Sequence, residues 1–230
     1  MINKTVSYYN NADDSKSKIR YNLDYVLGMI RDNQELFQQT VKLRSMPTEE
    51  EYKQAKKLLP MIAPSGVFDY RNDDPENLRE YSNVLVLDFD HFQSRLDAGE
   101  FKRNLIDNAD RLHVYALWFS PSRLGVKVAM IHDSTNPMYH NELFRCIREQ
   151  LYPGIPEFDD KCGNLSRTFF LSSDPEIYIN PQRDSLTPYH FEHSPSVRVT
   201  PMKSYNQGYI SNCFTHTSAE IIQNNCFQAR

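Results

Sequence analysis

No stretch of this chain approaches the roughly 20 consecutive apolar residues that a membrane-spanning helix needs, so no membrane role is expected. Cysteine is scarce. The four present, Cys146, Cys162, Cys213 and Cys226, form no C-x-x-C pair and show no zinc-site spacing. With no signal peptide recognised, they read as reduced thiols of a cytoplasmic protein rather than as a disulfide framework. Positive charge is also short: 26 Lys and Arg face 30 Asp and Glu, a net charge of −4. That excludes a generic, salt-driven coat for nucleic acid but leaves room for a local basic groove. No internal repeat is visible. What remains is ordinary for a folded chain. Of 230 residues, 40% are hydrophobic and 12% aromatic, enough for a full core in one large domain or one domain with an appendage.

Patterning sets out the elements. Lys4–Tyr9 reads as a first strand, and Ile19, Leu23, Val26, Leu27 and Ile30 recur at helical spacing. Thr48 with Glu51 is a capping-box start for a helix running to Leu59, before Pro60. Met61–Phe68 is extended, and Arg71–Glu80 is a charged loop or short helix. Val84–Phe89 is apolar on both faces and therefore reads as a central strand. A helical pattern follows over Phe92–Ala109. Val114–Phe119 and Val126–Ile131 are core strands joined by the turn Ser120–Gly125, Asn136–Leu151 is a helix, and Thr168–Leu171 a fourth core strand. After Asn180 the composition turns to Pro, Ser, Asn and His. Residues 181–208 read as a linker or surface segment, and Ser218–Phe227 as a short terminal helix. The expectation is an α+β fold around a mostly antiparallel central sheet flanked by helices, with a domain over 1–180 and an extension over 181–230.

Three segments carry chemistry. In Val84-Leu-Val-Leu-Asp88-Phe-Asp90, period-two alternation puts both carboxylates on one face. Two such acids repel unless a cation lies between them, and a hard divalent ion with oxygen ligands, Mg²⁺ or Mn²⁺, is the usual solution. The plainer alternative is a strand end whose acids cap the next helix or face water. In the turn after the next strand, Ser120, Ser122, the backbone near Gly125 and Lys127 suit a phosphate, or else form an ordinary polar hairpin. In Phe158-Asp-Asp160-Lys-Cys-Gly-Asn-Leu-Ser166-Arg167, either Asp159 or Asp160 completes a carboxylate triad. Arg167 either reaches phosphate or makes a structural ion pair. Acids for metal and cations for phosphate together are the chemistry of nucleotidyl transfer, and a metal-dependent nuclease shares the acids. His190 and His193 have the spacing of a metal pair but lie in the Pro-rich stretch and read as surface residues.

In that order, over about residues 20–180, the three motifs resemble the primase-polymerase (archaeo-eukaryotic primase) superfamily, and most closely the VirE-type N-terminal domains of bacterial mobile elements and phages. The resemblance implies a catalytic core of the RRM-like type. It implies a nucleotidyltransferase acting in mobile-element or phage DNA replication, with nucleoside triphosphates, a single-stranded DNA template and a replicative helicase as partners. Carried over, Asp88, Asp90 and Asp160 would be the catalytic and metal-binding acids, with Asp159 an adjacent competitor. Ser120, Ser122, Lys127 and Arg167 would bind the nucleotide. Two positions depart from the pattern: Lys127 stands where His is usual, and Arg123 where Gly is usual. They favour a rival of another class, a catalytically degenerate relative that binds nucleic acid or a helicase.

Overall fold

The computed structural model describes residues 2–16 and 18–193. The strands are β1 (Thr5–Tyr9), β2 (Ile19–Asn22), β3 (Met61–Ala63), β4 (Gly66–Phe68), β5 (Leu78–Tyr81), β6 (Val84–Phe89), β7 (Val114–Phe119), β8 (Val126–Ile131), β9 (Phe169–Phe170) and β10 (Tyr178–Ile179). The α-helices are α1 (Leu23–Asp32), α2 (Gln34–Arg44), α3 (Glu49–Lys56), α4 (Arg95–Asp107) and α5 (His140–Leu151). The strands form two four-stranded sheets, ordered β10-β7-β8-β6 and β2-β1-β3-β9, and a β4-β5 hairpin; every ladder in them is antiparallel. The fold is α+β, as the mix of hairpin strands and helices suggested.

β7 and β8 are buried at every position, which is why their sequences are unbroken apolar runs. Trp118, Tyr115, Phe89, Phe144 and Tyr152 are fully buried in the core they share. At about 1.5–3 kcal/mol per buried large side chain, this layer is the main source of stability.

Several elements differ from expectation for identifiable reasons. β6 is an edge strand of its sheet, not a central one, because it pairs only with β8. It is apolar on both faces because both pack into the core, and its outer edge is partly paired by the segment after α5: Asp90 N–H donates to Glu157 O, and Asp159 N–H to Asp88 O. Residues 19–22 pair with β1 as β2 instead of starting the helix, and Asn22 caps α1 by accepting from Asp24 N–H. α2 had no counterpart in the sequence reading, since its inward positions Leu36, Thr40 and Leu43 stand among glutamines and charges. Leu78–Tyr81 is strand, preceded by a single 3-10 turn, Pro75–Asn77. β9 is two residues long and joins the other sheet, beside β3.

Residues 181–193 continue along this body. Tyr189 is buried, with its N–H on Ile131 O and its hydroxyl on Gln150. The remainder of the expected linker and the expected terminal helix lie outside the described residues.

Candidate active site

The end of β6 carries the first acids. Asp88 and Asp90 face one cleft of about 350 Å³, whose lining also includes Lys56, Ser120, Ser122, Lys127, Asp159 and Arg167. The register explains the first contact. Asp88 stands opposite Lys127 across the β6-β8 ladder, and Lys127 Nζ donates to Asp88 Oδ2 at 2.6 Å. Both side chains are largely buried, at 7% exposure for the lysine and 14% for the aspartate. The other oxygen, Asp88 Oδ1, is buried and has no hydrogen-bond partner among the described residues.

Asp159 reaches the same place by a different route. Its backbone N–H is tied to Asp88 O, and its Oδ1 caps the 3-10 turn Asp160–Gly163 by accepting from Lys161 N–H. Its Oδ2 takes the Arg167 guanidinium at 3.2 Å and the Cys162 thiol at 3.1 Å. Burial alone would raise this carboxyl. The hydrogen bonds from Cys162 and Lys161, together with the charge of Arg167, outweigh burial and hold it below its ordinary range. Burial pushes the Cys162 thiol up to about 12.

Asp160 does not join the cleft. One residue further along the turn, it points outward, 68% exposed, and pairs with Arg148 Nε at 3.0 Å. The third acid of the cleft is therefore Asp159, and Asp160 is corrected as a site residue. Asp90 lines the cleft at its rim, where its Oδ1 accepts from His91 N–H.

The phosphate-like side is built by a tight turn. Ser120 N–H donates to Gly125 O, Arg123 N–H donates to Ser120 O, and Arg123 adopts a left-handed φ of 61°. Ser120 Oγ and Ser122 Oγ lie 3.1 Å apart. Gly125 is required by crowding, since a Cβ there would stand 2.7 Å from Phe89 O and 2.8 Å from Asp90 Oδ1. Phe119, just before the turn, is fixed from both sides: its N–H donates to Asp174 Oδ2, and its carbonyl accepts from Ser172 Oγ. Asp174 is itself buried against Lys102 at 2.9 Å. Asp174 thus positions the strand end that leads into the serine turn.

Lys56, at the end of α3, is the functional candidate that sequence reasoning missed. It lines the cleft and sits over the Phe170 ring at 5.4 Å, while Lys127 sits over Phe169 at 5.1 Å. Burial, followed by the charge of Lys127, lowers its pKa from the ordinary lysine value. Its only sequence signal was its place at the end of a well-capped helix. His190 and His193 do not form a pair; they contact Asp133 and Glu142 respectively.

Antiparallel sheets and helices define an α+β domain whose cleft gathers the carboxylates of Asp88, Asp90 and Asp159 with Lys56, Lys127, Arg167, Ser120 and Ser122. The chain belongs to the BT4734-like, N-terminal domain family, whose model matches residues 53–179. That span contains every cleft residue named above. The family is a different one from the primase-polymerase superfamily and its VirE-type branch, so the resemblance drawn from motif order is overturned. The three motifs are short, and their order alone did not discriminate between families. No curated protein matches, and no solved structure matches.

Proposed function

We propose that the cleft is a divalent-metal-dependent nucleotidyl-transfer site, taking a nucleoside triphosphate and joining nucleotides on a single-stranded template. The observation that carries this reading is Asp88 Oδ1, a buried carboxylate oxygen without a partner. A buried anionic oxygen left unpaired is costly, and a cation at that point removes the cost. The donor set fits such an ion: Asp159 converges on Asp88, and Asp90 extends the acidic face. Bound there, Mg²⁺ or Mn²⁺ would neutralise charge developing on the transferred phosphoryl group.

The chain's own residues do the rest. Lys56, Lys127 and Arg167 supply positive charge for a triphosphate, and the Ser120 and Ser122 hydroxyls supply short-range donors. The Asp174 and Ser172 contacts hold the serine turn in place.

The test is calorimetric titration of nucleoside triphosphate with Mg²⁺ and with Mn²⁺, alongside extension of a primer on single-stranded template. Metal-dependent binding is expected. Asp90→Asn should abolish incorporation with the fold intact, because the amide keeps the carboxylate's size but not its charge. Absence of triphosphate binding and of incorporation with both metals would remove the enzyme reading.

One observation favours a second reading, a degenerate nucleic-acid-binding module. Asp88 and Asp159 are each already paired with a cation of the protein, Lys127 and Arg167. Under that reading divalent ions leave the melting temperature unchanged.

A further inference from the structure

We propose that the ion position in this cleft is thiophilic: Asp88, Asp159 and Cys162 together take a zinc-class divalent ion in preference to Mg²⁺. The inference rests on the reading that the cleft binds a divalent cation, and it adds which one.

Among the described residues, these three offer ligand atoms that all lie within 4.8 Å of one another, and Asp90 is outside the set. The set is a built feature of the fold. Asp159 caps the 3-10 turn Asp160–Gly163, and this turn brings Cys162 back beside Asp159, with Sγ 3.1 Å from Asp159 Oδ2. The turn is pressed against α5 at Gly163, where a Cβ would stand 2.7 Å from the Phe144 ring. Cys162 is 2% exposed, so its sulfur is buried beside the Asp88 and Asp159 carboxylates, behind the cleft wall.

The charges on Asp88 are already divided. Oδ2 serves Lys127, and Oδ1 is unpartnered, so an ion can be accepted without breaking the Lys127 pair. Asp159 Oδ2 gains a free lone pair when the thiol gives up its proton, which passes to solvent as the metal–sulfur bond forms. Sulfur is a poor ligand for Mg²⁺, which requires oxygen, and a good one for zinc-class ions. A site of two carboxylates and one thiolate therefore discriminates by chemistry rather than by size.

The probe is Cd²⁺, whose bond to thiolate gives an ultraviolet charge-transfer band. It is titrated into the full chain and into a full chain in which Cys146, Cys213 and Cys226 are Ser. The band should appear in both and vanish in Cys162→Ser and Cys162→Ala, each checked for native melting, and in Asp88→Asn, checked for a native circular-dichroism spectrum because it breaks the Lys127 pair. Cys162→Ser should lower Zn²⁺ affinity at least about 10-fold, the lower range of what even outer-shell changes cost a metal site. Mg²⁺ affinity should not change. Absence of the band, with Mn²⁺ still bound by wild type and lost in Asp88→Asn, would overturn the thiolate ligand and leave the proposed function standing. No binding of Cd²⁺, Zn²⁺, Mn²⁺ or Mg²⁺ would overturn both.

Discussion

Lys127 and Asp88 form the residue pair on which the cleft turns. Removing one member of a buried ion pair leaves the other charged and desolvated, at a cost of about 3–5 kcal/mol. Lys127→Met keeps an unbranched apolar side chain but removes the ammonium, so a loss of about 3 kcal/mol is expected in metal-free buffer, read from the urea midpoint. Divalent ions should restore part of that loss in the variant, because they replace the missing cation on Asp88. An unchanged midpoint would mean that Asp88 finds its stabilisation elsewhere. At this scale the sequence was legible where alternation decides orientation. Asp88 and Asp90 do share a face. It was not legible at Asp159 and Asp160, because a 3-10 turn follows no strand period, and two adjacent acids leave it in directions that only its cap defines. Lys56 was hidden for another reason: a lysine on a helix of charges reads as part of a solvated face.

Among the elements, α3 and β8 bring Lys56 and Lys127 to the cleft, and the serine turn brings two hydroxyls. Gly125→Ala should distort the turn, since the new methyl meets a backbone carbonyl at 2.7 Å that cannot yield without shifting β6. The expected result is a loss of triphosphate affinity together with a destabilisation of about 1–3 kcal/mol, typical of overpacking. α3 was readable from its capping box, and Thr48 Oγ1 does accept from Glu51 N–H. Thr48→Ala should cost about 1 kcal/mol, seen in thermal melting. The strands β6, β7 and β8 were readable because burial on both faces demands unbroken apolar runs. Their order was not, because an apolar strand can lie at an edge whenever another segment covers it.

For the whole molecule, acid is the expected weak point. His132 is fully buried, and both its ring nitrogens lack hydrogen-bond partners among the described residues. Burial, then the neighbouring His140, lowers its pKa to about 3. His140, between Ser65 Oγ and Tyr81 OH, is lowered by burial to about 4, with Asp73 opposing. Unfolded, both titrate near the ordinary value of 6.5, so below that pH the unfolded chain binds protons that the folded chain refuses. Above about pH 6.5 these two histidines contribute no pH dependence. Stability should then fall through the window down to about pH 4, by on the order of 1 kcal/mol per pH unit for each histidine. Urea melts across that range should show the slope, and His132→Phe should roughly halve it. A flat profile would mean that the buried histidines take up protons in place.

The two backbone hydrogen bonds that cover the edge of β6, Asp90 N–H to Glu157 O and Asp159 N–H to Asp88 O, have a consequence for how the cleft can vary. They act as a ruler. The separation of the Asp88 and Asp159 carboxylates is measured out by main-chain pairing, not by the side chains themselves. Insertions between α5 and Glu157 would leave that measure untouched. Deleting Phe158, the one residue between Glu157 and Asp159, would advance the chain by one step: Asp160 would come to the position beside Asp88, Lys161 would turn out toward Arg148, and Asp159 would fall in the buried place of Phe158.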